Sequence, residues 1–304
     1  MKFLAFFGHL NIDVQMSVPK LPGYGESVSV KSVSENFAGT AGNFAFVANS
    51  LGLKFDLYSA VSKNTHSEFI KILKDRKINV NHIKIYNEDF GPICYLPSDG
   101  NEQIAYMYQG PIYKWNPADH FECDNYEYLH IGTGPADEYI KIVDKNSKSK
   151  VIFDPGQEIW YVYDKEKAIE MVNKSYIIIM NNKEFNYLLK LTGKTKDEIL
   201  DNVKYIIVTQ GKNGTVLYSK NNDEYFPSLK ASNIYDTIGA GDSFIAGFYS
   251  SIFNNYSIED SVIIGNITAS YAIRGKIIEF NMNYDKILHE FNKFKNKIYN
   301  KKSI

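Results

Sequence analysis

Short apolar runs without polar alternation (FLAFFG, FDLYSAV, YEYLHIG, KVIFDP, SYIIIM and YIIVTQG) recur along the chain with helical patterns between them. A strand that is apolar on both faces must be covered on both, and helices alternating with such strands supply the cover. The pattern predicts an α/β fold with a mostly parallel sheet between helical layers. NFAFVANSLG carries Phe44, Ala48 and Leu51 at helical spacing and stops at Gly52, a C-terminal capping signal. A further helix is expected from about Ser67 to Lys77. Residues 14–36 and 91–109 break this rhythm with period-two alternation, and the second stretch carries Asp99-Gly100, a hairpin turn signal. They read as a small, mostly antiparallel sheet outside the main one, or as ordinary edge hairpins. No linker is visible, so a small sheet would be inserted into one domain spanning 1–304 and not tethered to it.

Composition closes off several functional classes. A net charge of -1 gives no bias towards nucleic acid or an anionic membrane. The opening MKFLAFFGHLNID has an apolar stretch too short for a signal-peptide core or a membrane span, and no later run qualifies. Cys94 and Cys123 stand far apart without CxxC spacing, which argues against a disulfide framework or structural zinc and for a reducing, cytoplasmic setting. The only arginines are Arg76 and Arg274, so no cluster exists to clamp phosphate bidentately. An anion site in this chain must use backbone N–H groups, lysine or a metal.

SNIYDTIGAGDSFIAGFYSSI places Asp236 and Asp242 around Gly239-Ala240-Gly241, ahead of a helix expected from about Ala240 to Phe253. Small residues there let successive N–H groups point the same way, and the helix start adds its positive end. Such a place attracts phosphate. Asp242, in the first turn, has two readings. One is helix capping; the other is a general base that takes an alcohol's proton while the amides hold charge on a transferred group.

Other patterns lead nowhere as strongly. TGKTK has Leu188 where a phosphate-binding P-loop needs glycine. IGTGPADEY has Asp137 in place of the third glycine of a dinucleotide fingerprint, which leaves an NAD-linked enzyme a weak alternative. His9, His66, His82, His120, His130 and His289 lack HxxxH or HExxH spacing, so surface or satisfied core roles are expected for them.

DTIGAGDSFIAGF resembles the C-terminal signature of the ribokinase-like, or phosphofructokinase B, family of carbohydrate and nucleoside kinases. GHLNIDV and then FAGTAGNFAFVANSLG occur in the expected order, and VTQGKNGTVLY is similar to the family's nucleotide-binding strand-turn-strand. The resemblance runs from about Phe3 to Gly275. It implies a three-layer α/β/α sandwich with a small β-sheet lid, and an ATP- and Mg2+-dependent phosphotransferase. Asp242 would be the catalytic base, and Gly239, Ala240 and Gly241 would form the anion hole with the Asp242 amide. Asn11 and Asp13 would hydrogen-bond substrate hydroxyls, with Gly39 and Asn43 lining the same pocket. Thr209, Gly211 and Gly214 would lie along ATP, and Asn266 near its adenine. Asn181 and Glu184 match an Asn-x-x-Glu pattern that helps organise Mg2+ largely through water; Glu184 also reads as a plain first-turn acid. Asp236 would structure the loop, near carbonyls that often hold a monovalent cation such as K+. The family usually has Gly-Gly where this chain has Ala38-Gly39, a departure that bears on the lid hinge.

The acceptor stays open between a nucleoside and a free sugar, with a non-catalytic nucleotide or nucleoside sensor as a further alternative. AGTAGNFAF, FDPGQ and MYQGPI resemble stretches of nucleoside kinases, which favours a nucleoside phosphorylated at its ribose 5'-hydroxyl. Tyr106 and Tyr108, in the lid segment, are candidates to stack on a base, or simply pack the lid sheet. An exposed lid edge would also allow a homodimer.

Overall fold

The computed structural model describes residues 1–122, 125–146 and 148–302, without side chains for 296–302. Its elements begin with β1 (Lys2–Phe7), β2 (Asn11–Ser17), β3 (Ser32–Ala38), α1 (Thr40–Ser50), β4 (Asp56–Ser62), α2 (Lys63–Asp75), β5 (Ile83–Tyr86), β6 (Ile93–Ser98) and β7 (Tyr106–Tyr108). They continue with β8 (Tyr126–Ile131), α3 (Ala136–Lys145), β9 (Lys150–Phe153), α4 (Lys165–Lys174), β10 (Ile177–Asn181), α5 (Asn182–Thr192), α6 (Lys196–Leu200) and β11 (Tyr205–Thr209). Last come β12 (Thr215–Ser219), β13 (Asn222–Phe226), α7 (Ala240–Phe253), α8 (Ile258–Ala272) and α9 (Tyr284–Lys302).

The large sheet has the order β13-β12-β11-β10-β9-β8-β1-β4-β5. It is parallel from β5 to β11 and ends in the antiparallel β12–β13 hairpin. The expected apolar cover is present on both faces. Leu4 and Phe6 of β1 join the core formed with α1, α2, α7, α8 and α9, while Ala5 and Phe7 join the opposite core with α3 to α6. The chain leaves β1 towards β4 on one side and β8 on the other, so a crevice opens at the carboxyl ends of β1 and β8.

The small sheet has the order β3-β2-β6-β7. Two of its pairings are antiparallel, but β2 runs parallel to β6. The sequence alternation overstates the first lid strand. Residues 18–31 form no strand and are mostly exposed, because Pro19, Pro22, Gly23 and Gly25 interrupt them and no neighbouring strand pairs with them. The Asp99-Gly100 turn is present, with Asp99 Oδ1 accepting from the Asn101 and Glu102 amides. Helix α2 starts at Lys63, earlier than expected, because Ser62 caps it by accepting from the Asn64 amide.

Helix α7 is apolar all round and buried from Ser243 to Ser251. Its serines tolerate this because Ser243, Ser250 and Ser251 donate to carbonyls four residues earlier. The burial anchors the N-terminus of α7 at the crevice. No described helix is long and apolar enough to cross a membrane. Cys94 is free and buried; Cys123 lies outside the described residues.

Candidate active site

A cleft of about 750 Å3 lies between the small sheet and the carboxyl ends of the large one. It gathers Asn11, Asp13, Gly39, Asn43, Asn181, Glu184, Thr209 and the whole 239–242 turn, residues spread across most of the chain. Tyr106 reaches it; Tyr108, Gly211, Gly214 and Asn266 do not line it. Asn266 is buried beneath β12, where its Oδ1 accepts from Thr215 Oγ1 at 2.7 Å. Gly211 and Gly214 stand in the β11–β12 turn with φ of 56° and 92°, values that favour glycine.

The turn before α7 has the expected form. Gly239 is the N-cap in the left-handed region, φ 76° and ψ 7°, and a Cβ there would stand 2.9 Å from Asn43 Nδ2. Asp236 shapes the loop: its Oδ1 accepts from the Ile238 amide and its Oδ2 from Gln15 of β2. The anion hole is one amide smaller than expected, because Ala240 N–H donates to the Thr237 carbonyl. The amides of Gly239, Gly241 and Asp242 have no acceptor among the described residues. The capping reading of Asp242 fails, since its side chain accepts from Asn43 Nδ2 at 2.9 Å and from no amide of its own helix. Burial pushes the Asp242 carboxyl up to about 7; the Asn43 hydrogen bond opposes this, and Asp13 and Glu184 reinforce it.

Asp13 is likewise pushed up to about 7, first by burial and then by the nearby Asp236 carboxylate. Asp13 Oδ1 and Asn11 Oδ1 are buried without a hydrogen-bond donor. Such acceptors cost free energy unless a ligand satisfies them. Gly39 holds the two strands together at the floor. At φ 84° a Cβ would lie 2.5 Å from His9 O and 2.6 Å from Asn11 N. Gly39→Ala is therefore expected to destabilise the protein by roughly 1–3 kcal/mol, read as a lower urea midpoint with an unchanged slope.

Asn181 and Glu184 form a capping box: Asn181 Oδ1 accepts from the Lys183 and Glu184 amides, and Glu184 Oε2 from the Asn181 amide. The first-turn role of Glu184 is present, and its Oε1 accepts from no described residue while the side chain lines the cleft. No group of three described His, Cys, Asp or Glu side chains is arranged to hold a metal directly. The donors fit a hydrated cation and not a directly chelated one.

Three features lay beyond the sequence reading. Asp154, inside the quoted FDPGQ, faces the cleft at the end of β9, and burial followed by the Glu184 and Asp242 charges raises its carboxyl well above the usual range. Strand register puts Cys94 and Met107 beside Asp13 on the cleft face of the small sheet. Tyr106 and Tyr108 flank Met107 and are 60% and 48% exposed, so stacking by both on a ligand is not what this register presents; strand alternation applied to YMY carries that signal. His9 is fully buried and lines the cleft with neither ring nitrogen hydrogen-bonded, contrary to a surface or satisfied core role. His66 and His130 do have satisfied core roles, bonded to Leu10 O and Tyr249 OH. The GTGP turn is no phosphate site, because the Gly134 amide donates to the Glu158 carboxylate.

Unpartnered helix-start amides beside a carboxylate, under a small sheet on a doubly covered parallel sheet, suit transfer of a phosphoryl group to an alcohol. The chain belongs to the pfkB family of carbohydrate kinases, whose profile matches residues 1–277. It is 40% identical over 303 residues to a nucleoside kinase of Thermoplasma acidophilum, covering 100% of both chains. It is 30% identical to the crystal structure of the Methanocaldococcus jannaschii nucleoside kinase, with a TM-score of 0.86 over 96% of this chain and 99% of that one. A Burkholderia thailandensis nucleoside kinase in complex with inosine shares the fold at 18% identity, TM-score 0.87, over 95% and 97% of the two chains. The chain is a kinase of this family.

Proposed function

We propose that the protein transfers the γ-phosphoryl group of ATP to the ribose 5'-hydroxyl of a nucleoside. One observation carries the chemistry: the Asp242 carboxylate and the unpartnered amides of Gly239, Gly241 and Asp242 face one cleft with the unpartnered acceptors of Asn11 and Asp13. The nucleoside kinases at 40% and 30% identity support the acceptor class.

Asn11 and Asp13 accept hydrogen bonds from acceptor hydroxyls, and Gly39 and Asn43 shape the floor beneath them. Asp242 takes the proton of the 5'-hydroxyl as its oxygen bonds to the γ-phosphorus; the bond to the β,γ-bridging oxygen breaks and ADP leaves. The amides at the start of α7 hold the charge on the phosphoryl oxygens in transit, a role that falls to them because no Lys or Arg lines the cleft among the described residues. Thr209, Gly211 and Gly214 lie along ATP, with Asn266 beneath its adenine side. Glu184 Oε1, with Asn181 fixing its helix, would hold a Mg2+ ion through water, and that ion would supply further charge neutralisation when bound. The small sheet serves as the lid. Asp236 borders a cavity of about 100 Å3 shared with Asp13, Gln15, Asn36 and Gly275, which suits a monovalent cation such as K+. The unpaired edges of β3 and β7 would let a second copy join through the lid.

An ADP-release assay over nucleosides and free sugars tests the reading. Turnover of nucleosides above that of ribose and fructose is the expected result. Turnover confined to sugars overturns the acceptor assignment, and binding with no turnover of any member makes the protein a sensor.

A further inference from the structure

Along the segment that leaves β1, three buried side chains facing the cleft carry unpartnered acceptor-capable atoms: His9, Asn11 and Asp13. The first is unlike the others. The His9 ring is 0% exposed, and its Nε2 lies 3.5 Å from Glu158 Oε1. Glu158 is itself 2% exposed, and its carboxylate already accepts from Gln109 Nε2, Tyr161 OH and the Gly134 amide. A carboxylate ligated in this way has acceptor capacity only, so the His9 tautomer facing it carries its hydrogen on Nε2. Burial favours the neutral ring, against the opposing Glu158 charge. Its Nδ1 is then a buried lone pair with no donor on the protein.

The position of His9 gives that lone pair a purpose. Asp242 feels the charge of Asp13, whereas His9 feels that of Glu158. The base is held by Asn43, whereas the His9 ring faces Glu158 and the Gln109, Tyr161 and Gly134 groups bonded to it, so His9 faces a different wall of the cleft from the base. Resting on the nucleoside-kinase reading, we infer that His9 is a specificity-determining residue whose Nδ1 accepts a hydrogen bond from the acceptor, beyond those taken by Asn11 and Asp13. The shared chemistry is a donor on the part of the acceptor away from the transferred hydroxyl. A base N–H and the 2'-hydroxyl are its two sources. A site with a buried acceptor rejects a ligand that cannot satisfy it more strongly than it rejects a change of size.

The experiment measures kcat/KM for wild type, His9→Leu and His9→Asn on inosine, purine riboside and 2'-deoxyinosine. Purine riboside lacks the base N–H, and 2'-deoxyinosine the hydroxyl. His9→Leu is expected to lose roughly 10- to 100-fold on inosine, and to lose almost nothing on whichever analogue lacks the group that His9 binds. His9→Asn, whose Oδ1 can stand in for Nδ1, should recover most of the loss. An equal loss on all three compounds, or no loss on any, overturns the inference. If His9→Leu does not fold, wild type alone decides: an enzyme that uses all three equally well has no such contact. A wild type inactive on every nucleoside sinks the nucleoside reading instead, and His9 is then scored in the same way on ribose against 2-deoxyribose.

Discussion

Asp242→Asn is expected to lower kcat by roughly 10²–10⁴ while leaving acceptor binding within a few-fold of wild type. Asparagine keeps the shape of the side chain, and its carbonyl can still take the hydrogen bond that Asn43 Nδ2 gives to Asp242 Oδ2. It cannot take a proton from an alcohol. The raised pKa of Asp242 adds a signature in pH. With the carboxyl near 7 in the free enzyme, kcat/KM should climb tenfold per unit below that value and level off above it. The climb should vanish in Asp242→Asn. It should shift to lower pH in Asp13→Asn, because the Asp13 charge is one of the causes that raise Asp242. Near-wild-type turnover in Asp242→Asn, measured by ADP release, would remove this residue from the role of base.

Asp13→Asn should make the protein more stable and much less active. In the folded chain the Asp13 carboxyl is held near 7, against about 3.8 in the unfolded chain. The native state therefore binds the proton more tightly. Stability contributed by that proton is complete below pH 4, falls as pH rises through the window from about 4 to 7, and is gone above it. At pH 7 the remaining carboxylate is a buried charge beside Asp236, which opposes folding. Removing it should stabilise the unliganded protein by roughly 1–3 kcal/mol at pH 7, with the difference closing towards pH 4. Thermal unfolding at the two pH values reads this directly. The same change removes the charged acceptor offered to two hydroxyls, and kcat/KM should fall by roughly 10²–10³. Stabilisation without loss of activity would separate Asp13 from substrate binding. Loss of activity without stabilisation would mean that the folded chain does not disfavour the ionised Asp13 carboxyl.

Both expectations grow from the way the site uses its folding environment. The carboxylates at the cleft are held where burial and mutual repulsion disfavour their charged forms, and no cationic side chain among the described residues lines the cleft to relieve them. A cation arriving with ATP would relieve Glu184 and Asp154 at the moment when the base is needed. On the proposed reading, the helix-start amides would serve the opposite end of the same reaction, where negative charge spreads over the phosphoryl oxygens.

Much of the site was legible because local rules govern it. Glycine in the 239–241 turn, the helix from Ala240, the strand-turn-strand around Gly211 and the Asn181–Glu184 pattern depend on neighbours within a few residues, and all appear in the structure. What went astray also has local causes. Ser62 was not read as a cap, so α2 was placed too late. Tyr106 and Tyr108 were paired by chemistry, but of the two only Tyr106 lines the cleft, together with Met107 between them.

From the residues alone came the layered α/β plan, the amide-bearing turn and Asp242 as a candidate base, because hydrophobic period, glycine and capping act between near neighbours. Only the folded chain decided that Ala240 spends its amide on Thr237, that Asp154 joins the acids, and that His9 lies buried against Glu158 with a nitrogen unused. Those outcomes rest on burial and on contacts between segments far apart in sequence, and burial is a property of the whole packed molecule.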